Sequence, residues 1–133
     1  MIVVDTNVIA YLFLPGDFSE KAISLLKYDS TWIAPYLWKS EFRSVLALYF
    51  RQGHLSIEDA QSIMNEAEEF MSGNEYDVNS FEVFELISNS NCSSYDCEFV
   101  ALAKRLGLNF YTSDKKVLKE FPDIGIDLKN VKF

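Results

Sequence analysis

Short apolar runs that stop at an acidic residue and hand over to a helical pattern constrain this chain more than any other feature. Ile2-Val3-Val4 ends at Asp5. From Thr6 the apolar residues recur at helical spacing through Val8, Ile9, Leu12 and Phe13, until Pro15-Gly16 breaks the pattern. A second helix, capped by Asp17 or Ser19, is expected to carry Ala22, Ile23, Leu25 and Leu26 to about Tyr28. Thr31 to Ala34 reads as a strand, and Pro35 suits the first turn of a long helix to about Arg51. Gly53 closes that helix, and Ser56 with Asp59 starts another through Ile63, Met64, Ala67 and Phe70. Glu75 to Val78 is a weak strand, followed by a helix with Phe81, Phe84 and Ile87. Ser93 or Ser94 caps a helix striped by Phe99, Val100, Ala103 and Leu106 and closed by Gly107. Leu108 to Ser113 is a clear strand, Asp114 to Glu120 a short helix, and Ile126 to Val131 holds a last weak strand. Strands that alternate with helices call for crossover connections, so the expectation is parallel βαβ units in an α/β sandwich.

With 133 residues, 49% of them hydrophobic, and only 5 Gly and 3 Pro, the chain has enough apolar surface for one core. No repeat, linker or low-complexity tract divides it, so residues 1–133 read as one domain. Cys92 and Cys97 are too few for a disulfide framework and read as small, reduced residues near the core. The longest apolar run, Val8 to Leu14, is far short of a membrane span, and Asp5 interrupts any signal-peptide pattern. A soluble protein of the cytoplasm is the expectation. Its net charge of −8 excludes gripping nucleic acid by bulk electrostatics, so any such role has to be local.

Four acids stand where a plain fold would not put them. Asp5 and Asp114 each end an apolar strand, and strand carboxyl ends border the ligand crevice of a parallel sheet. Each could instead cap the following helix. Glu41 falls within the helical arc of Leu37, Val45 and Leu48, with Trp38, Phe42 and Leu46 beside it. A carboxylate on a core-facing stripe must be neutral, paired or bound to a metal, unless Glu41 is a boundary residue reaching back to solvent or a partner of Arg43. Asp96 lies in a first helical turn, where the helix dipole also favours an acid. Carboxylates gathered within a few ångströms cannot all ionise without a cation, and hard oxygen donors suit Mg²⁺ or Mn²⁺. A metal held in this way serves phosphoryl chemistry. Rival chemistries lack parts: His54 is the only histidine and sits in a loop, and no phosphate-cradling glycine loop is present.

These residues resemble the motifs of PIN-domain ribonucleases, particularly the VapC toxins of toxin–antitoxin pairs. Ile2-Val3-Val4-Asp5-Thr6-Asn7 is similar to the first acidic motif, and Glu41 in Leu37-Trp38-Lys39-Ser40-Glu41 to the second. The stretch from Ser94 through Asp96 to Ala103, followed by Leu106-Gly107, resembles the third, which is the most specific. Tyr111-Thr112-Ser113-Asp114 resembles the fourth. The resemblance implies a three-layer α/β/α sandwich with a central parallel sheet and an acidic cluster of Asp5, Glu41, Asp96 and Asp114 holding Mg²⁺ or Mn²⁺. It also implies endonucleolytic cleavage of RNA, leaving a 5′-phosphate and a 3′-hydroxyl. Thr6, Asn7 and Thr112 would be polar supports, with Glu98 a further acid beside the third motif. By the same resemblance, the partners would be a second copy of the chain and a small antitoxin covering the crevice. Lys39, Arg43 and Lys115 are expected either to guide RNA phosphates or to be ordinary solvated surface, whereas Lys104-Arg105 suits a helix C-terminus. Two rivals stand beside this reading. A phosphatase of the haloacid dehalogenase type also begins with an Asp at a strand end, but usually has a second Asp where Asn7 stands. A non-catalytic PIN-like binding module would keep the fold without turnover.

Overall fold

A computed structural model describes residues 1–133. The chain opens with β1 (Ile2–Val4), α1 (Thr6–Phe13) and α2 (Ser19–Tyr28), then β2 (Trp32–Pro35), α3 (Leu37–Arg51) and α4 (Ile57–Met71). It continues through β3 (Glu75–Tyr76), α5 (Ser80–Ser88), α6 (Ser94–Leu106), β4 (Phe110–Thr112), α7 (Lys115–Glu120) and β5 (Gly125–Asp127). The five strands form one sheet in the order β3-β2-β1-β4-β5, and every neighbouring pair is parallel. The α/β alternation read from the sequence is therefore the architecture of the molecule.

The registers centre on β1: Val3 stands beside Ile33 of β2 on one side and beside Phe110 of β4 on the other. Right-handed crossovers put α1 to α4 on one face of the sheet and α5 to α7 on the opposite face. Accordingly α1 packs on α2, α3 and α4, whereas α5 packs on α6, which lies across β1, β2 and β4. β1 and β4 are the central strands between which the winding reverses. Val3, Val4, Ile33 and Ala34 are completely buried, as expected of strands covered on both faces. The core is one continuous cluster that includes Trp32, Trp38, Phe42, Phe99 and Phe110.

Several boundaries differ from expectation for local reasons. Pro35 closes β2 rather than opening α3, pairing with Tyr76 of β3. The ladder bonds to β3 come from its neighbours, Ala34 N to Asn74 O and Tyr36 N to Tyr76 O. By strand alternation the proline nitrogen faces beyond the end of β1, where no acceptor is lost. Neither Asp17 nor Ser19 caps α2: its N-cap is Phe18, and the Ser19 hydroxyl donates to Leu14 O. On α5 the core side chains are Val83 and Leu86, while Phe81 and Phe84 stand 88% and 68% exposed. β3 stops at Tyr76 rather than Val78, and β5 begins at Gly125, before the expected Ile126, and ends at Asp127, well short of Val131.

Other local signals hold. Ser56 and Ser93 cap α4 and α6 through their hydroxyls. Gly107 ends α6 at φ +67°, a left-handed conformation in which a Cβ would meet no neighbour within 4 Å. Its cost on substitution is therefore backbone strain alone. We expect Gly107→Ala to lower the free energy of unfolding by about 1–2 kcal/mol without altering the fold, measured by urea denaturation with circular dichroism.

Candidate active site at the carboxyl edge of the sheet

Asp5, Glu41, Asp96 and Asp114 line one open crevice together with Thr6, Asn7, Ser44 and Val45. The crevice lies at the carboxyl ends of β1 and β4, the switch point of the sheet. Each acid arrives by a different route. Asp5 follows β1 and Asp114 follows β4. Glu41 sits in the second turn of α3, and Asp96 in the first turn of α6.

The capping alternative separates the two strand-end aspartates. Asp5 occupies the N-cap position of α1, yet its side chain makes no capping hydrogen bond. Its backbone carbonyl accepts from Val8 N and Ile9 N, and its carboxylate turns instead to Thr112. Asp114 does cap its helix: Oδ1 accepts from Lys116 N at 2.9 Å and Val117 N at 3.0 Å. That leaves its second oxygen without a partner in the chain.

Two buried threonines fix the carboxylates. The Thr112 hydroxyl donates to Asp5 Oδ2 at 2.6 Å and accepts from Asp114 N at 3.0 Å, so one side chain ties both strand-end acids together. The Thr6 hydroxyl donates to Glu41 Oε1 at 2.7 Å, linking α1 to α3. Both threonines are buried, which makes these hydrogen bonds obligatory rather than exchangeable with water. Asp96 is set by its helix start, where its backbone N–H donates to Ser93 Oγ.

Of the two places the sequence allowed Glu41, the core stripe and the boundary, the structure shows the boundary. The core stripe of α3 is Trp38, Phe42 and Leu46. The stripe of Leu37, Glu41, Val45 and Leu48 lies at the boundary, with Leu48 53% exposed. Glu41 is thus a half-buried wall residue and not a core one, and Arg43 is not its partner. Arg43 lines a separate groove between α3 and α4 with Phe50 and Met64. Lys39 is held by Glu75, Nζ to Oε2 3.6 Å, and the same oxygen accepts from Trp38 Nε1 at 2.9 Å. Lys115 is exposed immediately after Asp114. Lys115 follows Asp114 and Arg43 precedes Ser44, but none of the three cations is itself part of the crevice lining.

Sequence reasoning placed Val45 on the helical arc of Glu41 but did not bring Ser44 to the site. Helical spacing was the available signal, since both lie one turn beyond Glu41. His54 is exposed and lies outside the crevice, and both cysteines are buried free thiols. Burial pushes the Cys92 thiol up to about 11 and raises Cys97 as well.

The electrostatics of the crevice are those of like charges brought together. Burial raises the Asp5 carboxyl to about 6, against the pull of the Thr112 hydrogen bond, and the Glu41 and Asp96 carboxylates push it further upward. Glu41 is raised by burial, against the Thr6 hydrogen bond, and then by Asp96 and Glu98. Burial raises Glu98 too. No three histidine, cysteine, aspartate or glutamate side chains close into a ready-made metal cage. The donor set is nonetheless all carboxylate, and Mg²⁺ is commonly held by one or two carboxylates with water completing its shell. The residues present therefore fit a hard divalent cation.

Comparison with known proteins places this geometry in context. A family model of the PIN domain matches residues 2–124. The chain is 28% identical to Ribonuclease VapC3 of Pyrobaculum aerophilum, covering 91% of this chain and 95% of that one. Among solved structures it is similar to FitAcB from Neisseria gonorrhoeae, with a TM-score of 0.76 and 18% identity over 98% of this chain and all of the other. It is also similar to a toxin–antitoxin complex from Klebsiella pneumoniae, with a TM-score of 0.69 and 15% identity over 96% and 98% of the two chains. At these identities the solved structures establish a shared fold.

The Asp5 shift has a consequence for stability with a definite sign. In metal-free protein between about pH 4 and 6, the folded state retains a proton on Asp5 that the unfolded chain has released. Stability therefore falls as pH rises through that window, and the full cost, up to about 3 kcal/mol, is present above it. In EDTA, Asp5→Asn should stabilise the protein by about 1–3 kcal/mol at pH 7.5, with the gain vanishing near pH 4. Urea unfolding of both proteins across pH 4–8 measures this directly.

Proposed function

The chain belongs to the PIN domain family, and from that premise we propose that it is a metal-dependent endoribonuclease, the VapC-like toxin of a toxin–antitoxin pair. The observation that carries the reading is the convergence of Asp5, Glu41, Asp96 and Asp114 on one crevice at the switch point of the sheet. Asp5 is raised there by burial and by its acidic neighbours, as expected of a site that lacks its counter-charge. The relative named a ribonuclease, matched over nearly its whole length, supports the choice of RNA as substrate.

In this reading Asp5, Glu41, Asp96 and Asp114 hold Mg²⁺ or Mn²⁺. When bound, the ion lowers the pKa of a water and neutralises charge on the phosphate. The chain's own part is preorganisation. Thr112 fixes Asp5 and the backbone of Asp114, Thr6 fixes Glu41, and the Ser93 cap sets Asp96. Asp114 keeps one oxygen on the start of α7, so that only the other is available to a ligand. Phosphodiester cleavage of this type leaves a 5′-phosphate and a 3′-hydroxyl. Lys115, next to Asp114 in the chain, would meet a substrate phosphate in this reading, and Asn7 stands free on the crevice wall.

The toxin–antitoxin complex among the structural neighbours supports an antitoxin as partner. A segment carrying a cationic side chain would fit the acidic crevice by charge, and the separate apolar groove between α3 and α4 offers further surface. A homodimer and a cytoplasmic location complete the reading, and no helix is long and apolar enough to cross a membrane.

Purified protein incubated with labelled single-stranded RNA should cleave it in Mg²⁺ or Mn²⁺ and not in EDTA. Asp96→Asn should reduce cleavage at least about 100-fold while unfolding at a similar urea concentration. Mg²⁺ should raise the melting temperature of the wild type and shift that of Asp5→Asn far less. A folded, inhibitor-free wild type that binds the metal yet leaves every RNA intact would favour the non-catalytic binding module.

A further inference from the structure

The acids account for only half of the crevice. Beside them the lining carries two neutral side chains, Asn7 on α1 and Ser44 on α3. Both residues are exposed. Thr6 and Thr112 spend their hydroxyls on Glu41 and Asp5. Asn7 and Ser44, by contrast, make no side-chain hydrogen bond within the chain, so their donors and acceptors are available to a ligand.

Their position is informative. Ser44 lies three residues after Glu41 on α3, one turn along the same helix, and Asn7 is the second residue of α1, two after Asp5. Asn7 and Val45 also line a second cavity, which runs between α1 and α3 past Ala10, Tyr11, Leu48 and Tyr49. The two cavities therefore meet at Asn7 and Val45. A strand whose phosphate sits against the acids can leave the crevice past Asn7 and Val45 into this cavity, with Ser44 next to Val45 on the crevice side.

We propose that Ser44 and Asn7 bind the ribose 2′-hydroxyl of a nucleotide flanking the scissile phosphate, so that this pair gives the crevice its preference for RNA over DNA. The inference rests on the ribonuclease reading and adds to it the residues that recognise the sugar. The chemistry fits a neutral group that both donates and accepts. A hydroxyl and a carboxamide offer both functions, whereas four carboxylates offer acceptors only. The 2′-hydroxyl is the group by which a protein can tell the two nucleic acids apart at one nucleotide. With a net charge of −8, phosphate attraction gives little help and does not discriminate between them.

The test uses wild type, Ser44→Ala and Asn7→Ala against an RNA oligonucleotide whose cleavage position is first mapped. The same oligonucleotide is then made with a single 2′-deoxy nucleotide on either side of that position. One of the two deoxy substrates should lose about five- to tenfold in kcat/KM with wild type, the worth of one hydrogen bond. Ser44→Ala should lose a similar factor on all-RNA substrate and little more on the sensitive deoxy substrate. Equal losses for Ser44→Ala on RNA and deoxy substrates, or no effect of either deoxy substitution, would overturn the inference.

Binding in Ca²⁺ supplies a readout independent of turnover. Wild type should prefer RNA to DNA of the same sequence, and Ser44→Ala and Asn7→Ala should weaken that preference. Equal affinity of wild type for RNA and DNA defeats the inference whether or not cleavage occurs. A clear RNA preference with no cleavage would count against the ribonuclease reading alone. Ser44 is an exposed helical position where alanine is well tolerated, so the variant keeps the fold.

Discussion

The hydrogen bond from buried Thr112 to Asp5 is the interaction on which the rest of the site depends. A carboxylate at the end of β1 is drawn out of water by the layers on both faces of the sheet, and its own charge opposes that burial. Thr112 partly compensates, and the same hydroxyl accepts from the backbone of Asp114. One side chain at the end of β4 thus orients an acid on the neighbouring strand and the turn that presents the other strand-end acid. The parallel pairing of Val4 with Tyr111 makes this possible, because it brings the two strand ends level.

A second layer of constraint comes from the helices. Thr6 follows Asp5 directly, so the turn that begins α1 also delivers the hydroxyl that holds Glu41. Glu41 is neither a core residue nor a surface one. The stripe of α3 it occupies forms a wall, while Trp38, Phe42 and Leu46 one step round the helix anchor α3 in the core. The site therefore stands on rigid elements, with hydrogen-bonded neighbours in place before any ligand arrives. Carboxylates held so close are destabilising in isolation, and a bound cation would turn that strain into affinity.

The separation of tasks among similar residues is instructive. Asp5 and Asp114 occupy equivalent positions at strand ends and both precede a helix, yet only Asp114 spends an oxygen on capping. Lys39 and Arg43 lie four residues apart on one helix, but one is paired with Glu75 and the other lines the groove towards α4. Residue type at a given local position does not decide between these outcomes. What decides is which neighbours the fold brings within reach.

Much of the architecture was legible in the sequence because it rests on local periodicity. The β-branched run before Asp5, the serine caps at Ser56 and Ser93 and the glycine closing α6 each carry a short-range physical signal. Those signals alone give the alternation of strands and helices and hence the parallel sheet. Asp5, Asp96 and Asp114 could be picked out because strand ends and helix starts border the crevice in a fold of this class, and Glu41 because it interrupts an apolar helical arc. Tertiary structure decided the rest. That Pro35 belongs to β2 depends on the length of the neighbouring strand, and the exposure of Phe81 and Phe84 on which face of α5 meets α6. The threonine bridges, the place of Glu41 on a wall and the appearance of Ser44 in the crevice all depend on distances between segments remote in the chain. Periodicity places a side chain on a face of its own helix or strand. It cannot name the partner, because burial, hydrogen bonding and charge at these positions are set by residues as far apart as Asp5 and Thr112.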